Sequence, residues 1–510
     1  MGLSVYLASL SLASSFNGNF QQAYLLSILN QPYLEVHQFI NESTIARTGK
    51  PIDPLTLNFI WSVINVMNPI SGIVGQLIAY LICDRIGRRW TAITSCLIAI
   101  PASIVNSPVY FDAYKNVLAL ILSMLTRIFF PYYEVLVLGR FLWGTANGLA
   151  IVVQAVWVVE SAPPTQRGRV NSWQEVIATA GNLLTQAIGV PLSTPQLWPL
   201  MFLLPLVITI ICLIVFIFMY ESPQYSLMFV HNRQEAALAI RAYHGLKDDT
   251  DIDKQVRKCE EDGEKKEERK KSIDNSERPN GFQVMFMPWK AGDPLSTVIR
   301  FGAWVGIMVK IAYVFTGARV LRSFNTFIYY DLAKWSRNFS QWGSLVNTII
   351  RLPLSVIPIF IIESVGRRPM IILSEFMSIL FLSVTMVSTC IGEGAQLGTL
   401  LSVSMLLFTT SLGIGSISRF YSAELVPKSM LLQTVTILSL IESSTKIILD
   451  FGFYPLATTF GGYSFLIFIL PSILLFLLMF RYCPETKQRP VNVILNEMAQ
   501  KLKVDVQFKV

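Results

Sequence analysis

Apolar stretches long enough to cross a bilayer recur near residues 3–29, 57–83, 90–108, 136–159, 170–193 and 197–219, and again near 296–331, 341–362, 369–391, 397–422, 430–456 and 462–482. A hydrocarbon core about 30 Å thick takes roughly 20 residues of helix. Irregular backbone cannot enter it without orphaning N–H and C=O groups, so each stretch predicts one transmembrane helix. The two sets of six are parted by a polar break from about Glu221 to Lys290, whose mixed-charge run Glu260 to Lys271 is excluded from lipid and reads as a solvated, partly helical linker. The predicted architecture is an all-α membrane protein of twelve transmembrane helices. It comprises an amino-terminal six-helix bundle over 1–219, a cytoplasmic linker with short helices over 220–294, a second six-helix bundle over 295–482 and a cytoplasmic tail over 483–510.

Orientation follows from the basic residues in short loops. Arg85, Arg88 and Arg89 follow the second span, Arg167 and Arg169 the fourth, and Arg367 and Arg368 the eighth, which puts even-numbered exits and both termini in the cytoplasm. The sequons at Asn41 and Asn338 then fall on the opposite side, where glycosylation can reach them. The run Val117 to Leu125 is also apolar enough to insert, but an extra crossing would put Arg89 and Arg167 on opposite sides. Residues 117–130 therefore read as re-entrant, as part of a neighbouring span, or as a gene-model artefact.

Composition agrees with the pattern. Of 510 residues, 53% are apolar and only 15% charged, against about 25% charged in ordinary soluble domains. The net charge of +8 sits between spans, so it argues topology and not nucleic acid. Six scattered cysteines and three distant histidines offer no metal-ligand spacing, and no phosphate-binding GxxxxGK[ST] occurs. No cofactor is expected, and an enzyme is disfavoured.

The two halves repeat a short pattern. Asp84-Arg85-Ile86-Gly87-Arg88-Arg89 follows span two, and Glu363-Ser364-Val365-Gly366-Arg367-Arg368 follows span eight. Duplicated motifs six spans apart indicate an internal repeat, which in membrane proteins commonly means a transporter. With Tyr24, Asn30-Gln31-Pro32, Gly139-Arg140-Phe141, Glu160-x-x-Pro163-x-x-x-Arg167-Gly168, Glu221-Ser222-Pro223, Asn325, Tyr329-Tyr330, Ala423-Glu424-Leu425-x-Pro427 and Pro484-Glu485-Thr486-Lys487, the chain resembles the sugar porter family of the major facilitator superfamily, which includes the facilitative glucose transporters. The resemblance implies two pseudo-symmetric bundles, alternating access and a plasma-membrane location. It also implies cytoplasmic gating ion pairs among Asp84, Arg88, Arg89, Glu160, Arg167 and Glu221 in one half and Glu363, Arg367, Arg368, Glu424 and Glu485 in the other. The arginine the family places after Ala-Glu-Leu is Leu431 here, with Lys428 nearby, so the second latch is expected to be weaker.

By position, the solute site would comprise Gln174, Glu175, Arg319, Asn325, Tyr329, Asn347, Arg351, Arg419 and Glu442, where the family has mostly amides and a tryptophan. Charges within spans are costly and face cavities or partners. Lys310, Arg319, Arg322, Arg351, Arg419, Glu175, Glu442 and Lys446 therefore admit three overlapping readings. They pair as gates, for example Glu175 with Arg319 and Glu442 with Lys446; they leave a positive cavity for an organic anion; or they assist a sugar-like solute held by Asn325 and Gln174. The loss of Pro and Trp around Gly415 to Arg419 questions the span-ten break. Span one lacks a carboxylate, which favours passive facilitated diffusion of a small solute. The alternatives are an organic-anion carrier and a transporter-like receptor or sensor that has lost turnover.

Overall fold

The computed structural model describes residues 4–105, 133–163, 166–246, 248–274, 281–354, 365–427, 431–487, 489 and 491–504. The 117–130 run, Glu363 and Lys428 lie outside them, as do the side chains of Arg167, Glu175, Arg351, Arg419 and Leu431. The described residues are helical almost throughout, and the chain divides into two compact units, Met1–Ser276 and Glu277–Val510.

In the first unit, span one is a continuous helix that widens partway along. Val5–Ser15 and Gln21–Ser27 are joined by a wide π-type turn, Phe16–Phe20. Span two, Pro54–Ile86, starts with Pro54 in its first turn and with the Asp53 carboxylate accepting from the Leu55 and Thr56 amides. It packs against span four, Tyr133–Ser161, through small residues that let the backbones touch. A Cβ on Gly75 would lie 2.1 Å from the Thr145 carbonyl oxygen, and one on Gly148 would lie 2.2 Å from that of Gly72. Span three is Arg88–Val105, span five Arg167–Leu192, and span six Trp198–Phe202 continued by Leu203–Phe218. The polar linker then forms helices Pro223–Met228, Arg233–His244 and Asp249–Asp274; Ile240, Ile252 and Val256 make a small core of their own.

The second unit begins with Gly281–Phe286 and span seven. The sequence predicts one helix over 296–331, but Pro294–Phe315 stops at Gly317, which takes φ +71°. Ala318–Ser323, Asn325–Phe327 and a second wide turn, Ile328–Leu332, complete the span. Spans eight and nine are Arg337–Leu354 and Arg367–Ile391. Span ten is broken after all: Gln396–Leu412 and Ile414–Glu424 flank Gly413. Ser374 staples the break, donating to the Thr409 carbonyl at 2.9 Å and accepting from the Ile414 amide at 3.2 Å. Glycine and a serine from span nine thus make the break without the family's prolines. Leu431–Phe460 and Leu466–Tyr482 are spans eleven and twelve. The tail is not merely polar: the Val491–Leu502 helix buries Ile494, Leu495, Met498 and Ala499 in the second unit's core.

Candidate functional site: two latches and two ladders

The duplicated motif builds the same object twice. In the first unit, the Glu221 carboxylate meets no guanidinium among the described residues. Instead it accepts the backbone amides of Arg88 (2.9 Å), Arg89 (3.1 Å) and Ser222 (2.9 Å), so it caps the first turn of span three. In the second unit, Glu485 accepts from the amides of Arg367 (2.9 Å), Arg368 (3.0 Å), Thr486 (2.9 Å) and Lys487 (2.9 Å), capping span nine. Among the described residues, the hydrogen-bond partners of the Glu221 and Glu485 carboxylates are main-chain donors. The arginine side chains go elsewhere. Arg89 donates to the Phe216 carbonyl at 3.3 Å, at the end of span six, and Arg368 to the Phe480 carbonyl at 2.9 Å, at the end of span twelve.

The first arginine of each pair reaches the acid after span four or ten, with unequal success. Arg88 forks onto Glu160, Nε at 3.0 Å and Nη2 at 3.2 Å, touches Asp84 at 3.1 Å, and lies over the Tyr225 ring. Arg367 approaches Glu424 only to 3.8 Å, and its Nε and Nη1 are buried with no hydrogen-bond partner among the described residues. The hydroxyls of Ser222 and Thr486 donate to Glu160 and Glu424 respectively. Burial raises the Glu221 pKa above its ordinary value, and the amide bonds offset this only in part. Burial also pushes Glu485 upward, but its amide donors outweigh that and hold it below the usual carboxylate range.

Within each unit, one pair of parallel spans is zipped by polar side chains. Between spans one and five, Asn19 donates to Gln174 (3.4 Å), Ser27 to Asn182 (2.6 Å) and Gln31 to Gln186 (2.7 Å), always at a separation of 155 residues, so the helices run the same way. Between spans seven and eleven the rungs are charged. Lys310 Nζ meets Glu442 Oε2 at 2.7 Å, Lys446 bonds the other Glu442 oxygen, and Arg319 Nε donates to Asp450 Oδ2 at 3.0 Å. Residues 442, 446 and 450 step by four and so share one helix face. Arg319 thus takes a carboxylate from Asp450, a residue not singled out from sequence; the Glu175 side chain lies outside the described residues. Arg322 turns back to the Ala318 carbonyl and the Tyr313 hydroxyl.

The remaining site residues fall into two kinds. Tyr329 and Asn347 satisfy each other: the Asn347 amide donates to the Tyr329 hydroxyl and its oxygen accepts from Ser404. Asn325 is buried, and its amide oxygen has no hydrogen-bond partner among the described residues. Glu375 in span nine, also missed, is fully buried with both oxygens unpartnered among the described residues. The sequons differ too: the Asn41 side chain accepts from the Ile52 amide, whereas Asn338 is exposed.

A family model described as sugar (and other) transporter matches residues 10–497. The chain is 24% identical to facilitated glucose transporter member 1 of Gallus gallus over 497 residues, covering 96% of this chain and 93% of that protein. It is 31% identical to facilitated glucose transporter member 9 of Homo sapiens over 240 residues, covering 47% of this chain and 41% of that one. Among solved structures, the inward-open xylose transporter XylE from E. coli superposes with a TM-score of 0.72 at 17% identity, covering 98% of this chain and 100% of that chain.

Proposed function

The chain belongs to the sugar and other transporter family, and from that premise we propose that it is a facilitative carrier, a uniporter that moves a hexose or sugar-like solute by alternating access. It is an integral, multi-pass membrane protein of that family and not an enzyme. In this reading both termini are cytoplasmic, the membrane is the plasma membrane, and Asn41 and Asn338 are glycosylation sites. The latches at Gly87 and Gly366 hold one conformational state. Asn325 binds solute hydroxyls; Gln174, Glu175, Arg319, Tyr329, Asn347, Arg351, Arg419 and Glu442 are assigned to solute binding by sequence position.

The supporting observation is Asn325. A buried amide oxygen without a partner is expensive. A hydroxylated solute supplies the donor it lacks, which is what a sugar site requires. The test is counterflow of labelled glucose and fructose in proteoliposomes of the purified protein. We expect saturable exchange that Asn325→Ala abolishes; no exchange of either sugar by folded protein would refute the reading.

A further inference from the structure

The charges between spans seven and eleven are more than a device for pairing helices. The equivalent pair in the first unit, spans one and five, is zipped by neutral amides and a serine. Neutral rungs therefore suffice to align two parallel helices of this chain. Charged rungs cost more inside a membrane and are retained where they have a partner or a task.

Their signs do not cancel. Lys310 and Lys446 share the single carboxylate of Glu442. Arg319 is matched by Asp450. Among the described residues, Arg322 donates to neutral acceptors, the Ala318 carbonyl and the Tyr313 hydroxyl. Among the described residues of this ladder, four cations thus accompany two carboxylates. The surplus is concentrated at one place: Arg319 is held by Asp450, one helical turn from Lys446 on the same face of span eleven. These are also the two most accessible members of the paired set, with side chains 19% and 20% exposed, against 8% for Lys310 and Asp450.

Among the described residues, their donors are not used up. The Arg319 bond to Asp450 employs Nε and leaves the terminal amino groups. Lys446 gives one of its three N–H donors to Glu442. The face of span eleven that carries Leu440 and Ile448, both exposed, is the lipid-compatible one; Glu442, Lys446 and Asp450 lie two residues out of step with it, on the opposite side.

We propose that Lys446 and Arg319 form an anion seat, and that the solute is a hydroxylated organic monoanion of the sugar-acid class, its carboxylate between these two cations and its hydroxyls on neighbouring polar groups such as Asn325. The carboxylate offsets the surplus positive charge. A planar guanidinium and an ammonium are suited to it, the first as a fork and the second as a point charge. This deepens the carrier reading and rests on it. It also makes net transport carry charge, which a neutral hexose does not.

The test uses the purified full chain in proteoliposomes with labelled glucuronate and labelled glucose as separate probes. We expect glucuronate counterflow, and net glucuronate uptake that responds to an imposed potential, by up to roughly 50-fold in equilibrium accumulation per 100 mV for one charge. Lys446→Gln should lower the ratio of glucuronate to glucose exchange by about tenfold or more, the weight of one charge-assisted bond, and Lys446→Arg should restore much of it. Glucose exchange without glucuronate exchange would overturn the anion seat and leave the carrier reading intact. If neither probe exchanges, the carrier reading fails, and the seat is judged by binding alone. Thermal stabilisation of the wild-type protein by glucuronate, absent in Lys446→Gln, would uphold it, and no stabilisation would overturn it as well.

Discussion

Replacing Glu442 by glutamine removes the carboxylate that two lysines share while keeping side-chain volume, so the change subtracts charge more than packing. Lys310 Nζ lies 2.7 Å from one Glu442 oxygen and Lys446 bonds the other; their side chains are 8% and 20% exposed. Two ammonium groups are then left without an anion inside spans. Insertion scales place each such group at about 2.5–3.5 kcal/mol when central and unpaired. Breaking a buried pair by removing one partner costs about 3–5 kcal/mol. Partial exposure of Lys446 lowers the total, so we expect Glu442→Gln to lose about 3 kcal/mol. The assay is thermal unfolding of detergent-purified protein, followed by the fraction that remains monodisperse. The decisive comparison is the double variant Lys310→Gln/Glu442→Gln, which returns this trio to its original charge. It should be more stable than Glu442→Gln alone, with a coupling of about 1–3 kcal/mol. A single variant within about 0.5 kcal/mol of wild type, or strictly additive losses in the double variant, would refute the ladder as a set of interacting charges.

Three other outcomes follow from the same geometry. Arg88→Lys should cost about 1.5–3 kcal/mol by losing the fork onto Glu160, while Arg367→Lys should cost under about 1 kcal/mol, because Arg367 reaches Glu424 only at 3.8 Å; equal losses in thermal unfolding would contradict the unequal latches. Gly148→Ala should sharply lower the yield of folded protein, since the new Cβ would stand 2.2 Å from the Gly72 carbonyl oxygen and only separation of spans two and four relieves it; a normal size-exclusion profile would show that the contact can yield. The two capping glutamates should respond oppositely to acid. The Glu485 pKa is depressed on folding, so its contribution is present above the unfolded value of about 4.3 and fades as pH falls through the folded one. The raised Glu221 pKa gives a contribution that is full below about 4.3 and fades as pH rises through the folded value. Glu485→Gln should therefore be more harmful at neutral pH than near pH 4, with no such trend for Glu221→Gln; parallel pH profiles of the melting midpoints would reject this.

The sequence made the spans legible because lipid imposes one rule on every segment, and helix bounds such as Pro54–Ile86 and Arg367–Ile391 contain the apolar stretches that predicted them. It did not reveal where spans widen or break inside the membrane. The wide turns at Phe16–Phe20 and Ile328–Leu332 carry no proline, and the stop at Gly317 is one glycine among many. Motif residues were found, but their partners were not. Nothing in Glu221 or Glu485 distinguishes a carboxylate that takes amides from one that takes a guanidinium, since both lie near arginines in either case. Asp450 was passed over because it sits near the end of an apolar run, yet its step of four from Lys446 was a readable sign that it shares a face with the other charges.

The capping geometry explains why the repeated motif has its particular form. A carboxylate accepting successive amides at the start of span three or nine needs the preceding residue to leave room. Gly87 and Gly366 adopt φ +92° and +104°, and a Cβ there would fall 2.5 Å and 2.8 Å from an oxygen of Glu221 and Glu485. The second arginine then has a separate target, the carbonyl end of span six or twelve, where a cation complements the helix dipole as the capping carboxylate does at the other helix start. One glutamate and one arginine thus neutralise two helix ends that point opposite charges at the same spot. The first arginine alone is free to bind the acid after span four or ten. It is therefore the one position in the motif whose bond can be made or released without exposing a bare helix end, and it is where the two units differ most, a fork onto Glu160 in one and a 3.8 Å approach to Glu424 in the other.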